Sequence, residues 1–323
     1  MSTELKIKLP NYVRLSMNNK DEVFPLAMLD NIKAHPENYR LLERIPLTIE
    51  GVDTHFPIQL NKPLPGEKIY SVVFLDTETT GIDATKDHVI ELGLVKATFS
   101  LDRKLILSVD KYYDEFEDPK VPIPEEIVNL TGITDDMVKD HSFDEDMVAQ
   151  FLVGRPLIVA HNAGFDRPFF ENRFPTLANL SWACSLKEVP WTQLGFPGSK
   201  LEYLSNCIGY FYDAHRAYVD CLALLWVLYK TPEAFEDLVK SALTPSCKMV
   251  LHGNTFAIKD VLKEKQFRFD GTNKTWGRFV KTVEEAQNLK KVLTDTYKSG
   301  EVNFEVELIE FNAKTRYKLN SKK

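Results

Sequence analysis

The stretch Ile69-Tyr-Ser-Val-Val-Phe-Leu75 is a short run of apolar and β-branched residues, and Asp76-Thr-Glu-Thr-Thr-Gly81 follows it directly. Such a run predicts a buried strand. Because side chains alternate along a strand, Asp76 and Glu78 are expected to project from the same face. Two neighbouring carboxylates repel each other unless a cation lies between them, and hard divalent cations prefer oxygen ligands. The end of this strand is therefore a candidate metal site.

A third carboxylate follows another predicted strand. The apolar stretch 156–160 precedes His161-Asn-Ala-Gly-Phe-Asp166, and a helix is predicted for 166–173. Asp166 would thus lie at a strand-to-helix junction, where sites in α/β sheets tend to form. The alternative interpretation is that Asp166 only caps the helix.

The fourth carboxylate stands at the head of a long apolar helix. The stretch is His215-Arg-Ala-Tyr-Val-Asp220, and residues 216–229 are apolar on nearly every side of the predicted helix. An unpaired carboxylate in such surroundings costs several kcal/mol, so a partner or a metal is expected beside Asp220. Histidine ordinarily titrates near pH 6.5, roughly at neutrality, so His215 is a candidate proton acceptor. A cap or surface position is the alternative for this histidine.

The three motifs together resemble the DEDD 3′→5′ exonucleases, in the subgroup typified by the epsilon proofreading subunit of bacterial DNA polymerase III. They occur in the order of that family, and Leu130-Thr-Gly-Ile-Thr-Asp135 resembles its stretch between the first two motifs. His215 lies five residues before Asp220, as in the histidine subgroup, whereas the tyrosine subgroup has tyrosine where Arg216 stands here. The resemblance covers residues 68–232, and the whole chain is similar to free-standing bacterial epsilon-like exonucleases.

This resemblance implies a ribonuclease-H-like α/β fold, with a mixed sheet flanked by helices, and a metal-dependent 3′→5′ exonuclease that releases nucleoside 5′-monophosphates. It implies two Mg²⁺ or Mn²⁺ ions held by Asp76, Glu78, Asp166 and Asp220, with His215 as general base. The expected substrate is the 3′ end of a nucleic acid, with DNA favoured over RNA. The expected substrate contacts are Thr79, Thr80, Asn162, Leu130, Thr131 and Ile133.

Two alternatives from the sequence stay open. An exoribonuclease of the same family would trim RNA, because the treatment of a 2′-hydroxyl group is not visible in these motifs. A module that binds nucleic acid or a polymerase without turnover is the second, although the complete carboxylate set favours an enzyme. The chain contains no polymerase domain, so proofreading would need a polymerase or clamp partner. The stretch 59–64 loosely resembles a clamp-binding peptide, but its spacing is generic, and the proline and glycine content of residues 61–66 favours a linker.

The length of 323 residues predicts more than one domain. We assign residues 1–67 to an N-terminal extension of unclear role, 68–243 to the exonuclease domain and 246–323 to a small α+β module. That module carries 16 basic and 10 acidic residues, whereas residues 1–245 carry 24 and 37. Its aromatics either alternate into its own core or stack on nucleic-acid bases. They are Phe267, Phe269, Trp276 and Phe279, and Trp276 is the candidate for exposure.

Composition also bounds the class of protein. The longest apolar run, residues 221–229, is shorter than the roughly 18 residues that span a bilayer. The N-terminal residues lack the apolar stretch of a signal peptide. The four cysteines have no C-x-x-C spacing, which favours reduced thiols over a zinc site. We therefore expect a cytoplasmic protein without a membrane partner.

Overall fold

The computed structural model describes residues 28–46 and 56–319. The predicted extension, residues 1–67, is therefore described only in part. The chain divides into two units, residues 1–42 and residues 43–323. In the first unit, the described residues form helix α1 (Leu29–Ala34) and one 3₁₀ turn at Pro36–Asn38.

A six-stranded mixed sheet forms the centre of the second unit. Up to residue 243, the strands of the second unit are β1 (Glu43–Arg44), β2 (Ile58–Gln59), β3 (Ile69–Thr79), β4 (Val89–Ser100), β5 (Leu105–Phe116), β6 (Leu157–Ala160), β7 (Ser181–Cys184) and β8 (Tyr210–Phe211). The sheet order is β2-β5-β4-β3-β6-β7, and β1 pairs separately with β8. Strands β3, β4 and β5 form an antiparallel meander, whereas β6 is parallel to β3 and β7 is parallel to β6.

Helices cover both faces of this sheet. They are α2 (Glu125–Thr131), α3 (Asp135–Val138), α4 (Glu145–Phe151), α5 (Ala163–Arg173), α6 (Ser185–Glu188), α7 (Leu201–Cys207), α8 (Ala217–Lys230) and α9 (Pro232–Leu243). The predicted α/β class, with a mixed sheet flanked by helices, is confirmed. None of the helices within residues 28–46 and 56–319 has the length and apolar character needed to cross a bilayer.

Strand β3 divides the interior into two cores. Val72 and Phe74 pack with helix α8 on one face, while Val73 and Leu75 pack with helices α4 and α5 on the other. The strand is longer than its apolar run, because pairing with β4 continues beyond Leu75. Asp76 and Glu78 therefore lie inside the strand, on the face that carries Val72 and Phe74 and hence toward α8.

The C-terminal part forms its own antiparallel sheet. Its elements are β9 (Ser246–Asn254), α10 (Lys259–Glu264), β10 (Arg268–Asp270), β11 (Thr275–Val280), α11 (Val283–Tyr297) and β12 (Asn303–Phe311), with sheet order β10-β11-β9-β12. Asp270-Gly271 is a dipeptide typical of hairpin turns and predicts a strand, a turn and a strand over residues 267–276, which the pairing of β10 with β11 confirms. Phe267 and Trp276 are buried in the core of this sheet and its helices, so the predicted exposure of Trp276 is wrong. Of the four aromatics named in the sequence analysis, Phe269 and Phe279 are exposed, at 55% and 62%.

One glycine controls how closely helix α8 approaches the sheet. Gly93 on β4 pairs with Asp76 and lies beneath the first residues of α8. A Cβ atom at Gly93 would lie 2.3 Å from the backbone carbon of Ala217 and 2.4 Å from the backbone nitrogen of Tyr218. The Cys221 thiol donates to the Gly93 carbonyl at 3.3 Å. Only glycine therefore permits this approach of the helix to the sheet.

We predict that Gly93→Ala lowers the free energy of unfolding by about 1–3 kcal/mol, because the added methyl group would clash with the backbone of α8 and force the helix and the strand apart. Urea unfolding followed by circular dichroism measures this change. Gly271→Ala is the matched control, since a Cβ there has no atom within 4 Å. Equal losses in the two variants would contradict the close approach at Gly93.

Candidate active site

Three of the predicted metal ligands lie together. Asp76 and Glu78 on β3 and Asp220 on α8 each offer a carboxylate oxygen, and these oxygens lie within 4.8 Å of one another. The alternation of β3 directs the first two toward α8, and the absence of a side chain at Gly93 lets the helix bring the third to them. Such a group of oxygen donors is the kind that hard divalent cations bind.

Asp166 lies beside this group and is held by β3. Its helix, α5, begins at Ala163, three residues before the predicted start, so Asp166 is in the first turn and Asn162 is the N-cap. The N-cap interpretation of Asp166 is therefore wrong. One carboxylate oxygen of Asp166 accepts hydrogen bonds from the Thr77 amide at 3.2 Å and from the Thr77 hydroxyl at 3.1 Å. Thr77 thus connects helix α5 to the strand that carries Asp76 and Glu78.

The four carboxylates form one electrostatic group. Burial raises the pKa of Asp76 well above its usual range, and the charges of Asp166 and Asp220 raise it further. Burial, followed by the charge of Asp220, raises the pKa of Glu78. Burial also raises the pKa of Asp166 and of Asp220, although hydrogen bonds oppose the rise in both. A divalent cation would relieve this repulsion, so the donor set fits a metal.

Asp220 also organises the chain that leads into helix α8. Its carboxylate accepts from the His215 amide at 2.8 Å and from the Arg216 amide at 3.2 Å. Its other oxygen accepts from the Tyr212 hydroxyl at 3.2 Å. Amide groups before a helix otherwise lack partners, so this carboxylate satisfies two of them. Sequence patterns did not identify Tyr212, which stands outside the three motifs.

His215 lies at the edge of the carboxylate group with its side chain exposed. Its backbone φ is +68°, in the left-handed region that few residues other than glycine and asparagine adopt. The hydrogen bond from its amide to Asp220 holds this conformation. The backbone of His215, the predicted general base, is therefore hydrogen-bonded to Asp220, a predicted metal ligand.

Comparison with known proteins agrees with this geometry. Residues 73–228 match the family model described as Exonuclease, and the match contains all three motifs. Residues 73–228 are a domain of the DEDD 3′→5′ exonuclease family.

Relatives of the exonuclease domain occur inside much longer proteins. The PolC-type DNA polymerase III of Staphylococcus haemolyticus (strain JCSC1435) is 31% identical over 230 residues, which are 66% of this chain and 15% of that protein. The PolC-type DNA polymerase III of Bacillus subtilis (strain 168) is 34% identical over 190 residues, 55% of this chain and 12% of that protein. The chain thus spans at most 15% of these curated relatives.

Solved structures of exonucleases are also similar to this chain. Exonuclease X in complex with 5′ overhanging duplex DNA has a TM-score of 0.38 and 22% identity, and the match covers 52% of this chain and 98% of that one. A structure of exonuclease I has a TM-score of 0.44 and 16% identity, covering 76% of this chain and 65% of that one.

An ion pair between the buried Glu91 and the partly exposed Arg216 anchors helix α8 of the exonuclease domain. Glu91 on β4 is 1% exposed, and its carboxylate accepts from Arg216 Nε at 2.9 Å and from the Ala217 amide at 2.9 Å. A buried charge is strongly destabilising without such partners. Glu91 therefore holds Arg216, which follows His215, and Ala217, the first residue of α8. Sequence reasoning missed Glu91, although it is the only charged residue in the apolar run 89–95.

Asp114 on β5 lies beside this ion pair. Burial, and then the charge of Glu91, raises the pKa of Asp114 from 3.8 to about 7. Its Oδ1 is buried and has no hydrogen-bond partner within the described residues. Since the folded chain holds a proton that the unfolded chain releases, this group favours folding below its unfolded pKa and the benefit is lost as pH rises through about 7.

We predict that Asp114→Asn raises thermal stability at about pH 8 and leaves it nearly unchanged at about pH 4, because asparagine imitates the neutral acid. Thermal unfolding across this range measures the difference. Glu115→Gln, at an exposed neighbouring position, is the control and should not change the pH dependence. Parallel pH profiles for wild type and Asp114→Asn would contradict the predicted protonation.

The predicted substrate contacts occupy two kinds of position. Thr79 and Thr80 are buried, and both hydroxyls make hydrogen bonds within the turn after β3. Asn162 is exposed beside α5. At the end of α2, Leu130 is 53% exposed and Thr131 is buried, and Ile133 just after the helix is also buried. The buried members thus shape the backbone of these turns, and Asn162 and Leu130 expose side chains.

The segment that resembles a clamp-binding peptide is fixed at the sheet edge. Ile58 and Gln59 pair with Val109 and Ser108 of β5. The Gln59 side chain donates to the Leu107 carbonyl at 2.8 Å, so its amide group is bound within the domain. These contacts favour a structural role for this segment over the binding of a clamp.

Proposed function

We propose that this protein is a metal-dependent 3′→5′ exonuclease that releases nucleoside 5′-monophosphates from the end of a nucleic acid. The observation that supports this most strongly is the convergence of Asp76, Glu78 and Asp220 within 4.8 Å in a domain of the exonuclease family. The carboxylates come from elements separated by more than a hundred residues. A site of this composition, with Asp166 adjoining, suits phosphodiester hydrolysis.

Two divalent cations, Mg²⁺ or Mn²⁺, are the proposed cofactors, and Asp76, Glu78, Asp166 and Asp220 are their proposed ligands. Carboxylate oxygens suit both ions. When bound, a pair of such ions stabilises the charge on the attacking and leaving oxygens of an in-line displacement. Residues 1–245 carry more acidic than basic residues, and bound cations would reverse the local charge where a polyanion approaches the carboxylates.

His215 is the proposed general base. It would accept a proton from the water that attacks the terminal phosphodiester. As the new phosphorus–oxygen bond forms, the bond to the 3′-oxygen of the preceding nucleotide breaks. That oxygen takes up a proton and becomes the new 3′-hydroxyl end. The released product keeps its phosphate on the 5′-carbon.

DNA is the favoured substrate, and RNA is the alternative. The support for DNA is that the relatives named above are DNA polymerases. The same relatives support a polymerase as a candidate partner, while a binding role without turnover remains the non-enzymatic alternative. The proposed substrate contacts are Thr79, Thr80, Asn162, Leu130, Thr131 and Ile133. A cytoplasmic location is supported by the absence of a disulfide among the four cysteines, all of which lie in the described residues.

We predict that Asp220→Asn abolishes metal-dependent turnover, because asparagine keeps an acceptor for the His215 amide and loses the charge that a metal needs. The assay follows 5′-labelled single-stranded DNA, duplex DNA and single-stranded RNA on gels, with Mg²⁺, Mn²⁺ or EDTA.

Asp213→Asn is the matched control, since Asp213 forms an ion pair with Arg44 outside the carboxylate group. A ladder that requires metal and Asp220 supports the exonuclease, and the fastest substrate distinguishes DNA from RNA. Wild-type cleavage by Asp220→Asn would contradict the assignment. Absence of cleavage by the folded wild type on every substrate would favour the binding role.

We predict that His215→Asn lowers the turnover rate by about 10²–10⁴, as expected for loss of a general base. Asparagine is the preferred replacement because it tolerates the positive φ at this position. The pH–rate profile should lose its acidic limb in this variant. His252→Asn, in the C-terminal sheet, is the control. An unchanged profile in His215→Asn would remove this histidine from the mechanism.

A further inference from the structure

The residue after Asp166 has an unusual set of partners. Arg167 on helix α5 is fully buried. Its guanidinium donates to the backbone carbonyls of Ala313 at 3.2 Å, Arg316 at 2.6 Å and Lys314 at 2.6 Å, and its Nε donates to Glu171 at 2.8 Å. The three carbonyls belong to residues 312–319, which follow the last strand of the C-terminal sheet. We call these residues the C-terminal clasp.

The clasp is attached to several elements of the exonuclease domain. The Ala313 carbonyl accepts from the Trp182 amide of β7 at 2.7 Å. Arg316 donates to the carbonyls of Ser241 and Thr244 at the end of α9, and its Nη1 lies 3.2 Å from Glu188 on α6. The Tyr317 hydroxyl donates to Glu188 at 2.7 Å. The chain therefore returns from the C-terminal sheet and packs back onto the domain that carries the carboxylates.

Arg167 and the clasp depend on each other. A fully buried guanidinium without partners destabilises a fold by several kcal/mol. Besides Glu171 on the same helix, its partners here are three carbonyls that lie about 150 residues along the chain. The ring of Tyr317 adds an apolar contact, because it packs on the core formed by α4, α5 and β7. The first turn of α5 is thus held from outside by the clasp and from inside by Thr77.

From these contacts we propose that the C-terminal clasp positions Asp166 for metal binding by fixing helix α5 through Arg167. This inference rests on the proposed function for the role of Asp166 as a ligand. Asp166 and Arg167 are consecutive residues of one helical turn, so a shift of that turn changes the bonds between Asp166 and Thr77. The clasp acts through Arg167 and does not itself touch the carboxylate group.

The consequence concerns the role of the C-terminal part. The C-terminal sheet has its own core and precedes the clasp in the chain. On this inference, the exonuclease domain ends structurally with the clasp, and the C-terminal sheet is an insertion between α9 and the clasp. Loss of the clasp contacts should therefore weaken metal binding even when the carboxylates are intact.

The test uses the full chain and compares Arg167→Met with Arg173→Met. Both residues lie on α5 and both form ion pairs, but Arg173 pairs with Glu117 and Glu145, away from the clasp. Mn²⁺ binding is measured by the electron paramagnetic resonance signal of the free ion. Hydrogen exchange of the Thr77 amide, which donates to Asp166, is measured without metal.

We expect Arg167→Met to raise the Kd for Mn²⁺ about tenfold, the usual effect of losing a group that orients a ligand. Exchange of the Thr77 amide should become faster, whereas Arg173→Met should change neither quantity. A folded Arg167→Met that keeps the wild-type Kd and the wild-type exchange rate would overturn the inference.

Two further arms keep the test decisive. If Arg167→Met does not fold, Tyr317→Phe decides, because it removes a single hydroxyl from the clasp: faster Thr77 exchange supports the inference and unchanged exchange overturns it. If the wild type binds no Mn²⁺, the proposed metal site fails. The positioning of Asp166 by the clasp is then still decided by the Thr77 exchange rates.

Discussion

The close approach of helix α8 to the sheet at Gly93 is the constraint on which the site depends. Asp76 and Glu78 share a strand face whatever packs against it. The carboxylate of Asp220 reaches them only because its helix lies directly on that face. Gly93 leaves no side chain in the way. Glu91, two residues before it, binds the first amide of the helix, so one short segment of β4 sets both the distance and the position of α8.

The carboxylate group is destabilising by itself, and the surrounding structure offsets this. Burial raises the pKa values of all four acids, and like charge adds to the rise in Asp76, Glu78 and Asp166. The folded chain therefore holds together groups that would repel each other if charged. Asp220 is held by amides that precede a helix, and Asp166 is held by the amide and hydroxyl of Thr77. These bonds orient the carboxylates without neutralising them. Preorganised oxygen donors of this kind favour a cation, because the cation removes the remaining repulsion.

The clasp holds helix α5 from the side opposite Thr77, again through hydrogen bonds to a buried polar group. The helix carries Asp166, a proposed metal ligand, and the next residue is the buried Arg167. Backbone carbonyls from residues 313–316 accept hydrogen bonds from this arginine. Chain segments on either side of the C-terminal sheet thereby contact each other through Arg316 and the end of α9. The catalytic domain consequently includes residues that follow the C-terminal sheet in the chain.

The sequence by itself determined the elements whose signals are local. The apolar run before Asp76, the uniformly apolar helix α8, the Asp270-Gly271 hairpin and the spacing of the three motifs all depend on neighbouring residues, and they predicted the fold class and the carboxylate group. Tertiary structure alone decided the roles of Glu91, Tyr212 and Arg167, the burial of Trp276 and the course of the clasp. The partners of Glu91 and the carbonyl partners of Arg167 lie more than a hundred residues along the chain, and Tyr212 binds Asp220 from outside the three motifs. Periodicity or spacing carries no information about which carbonyl or carboxylate will satisfy a buried polar group.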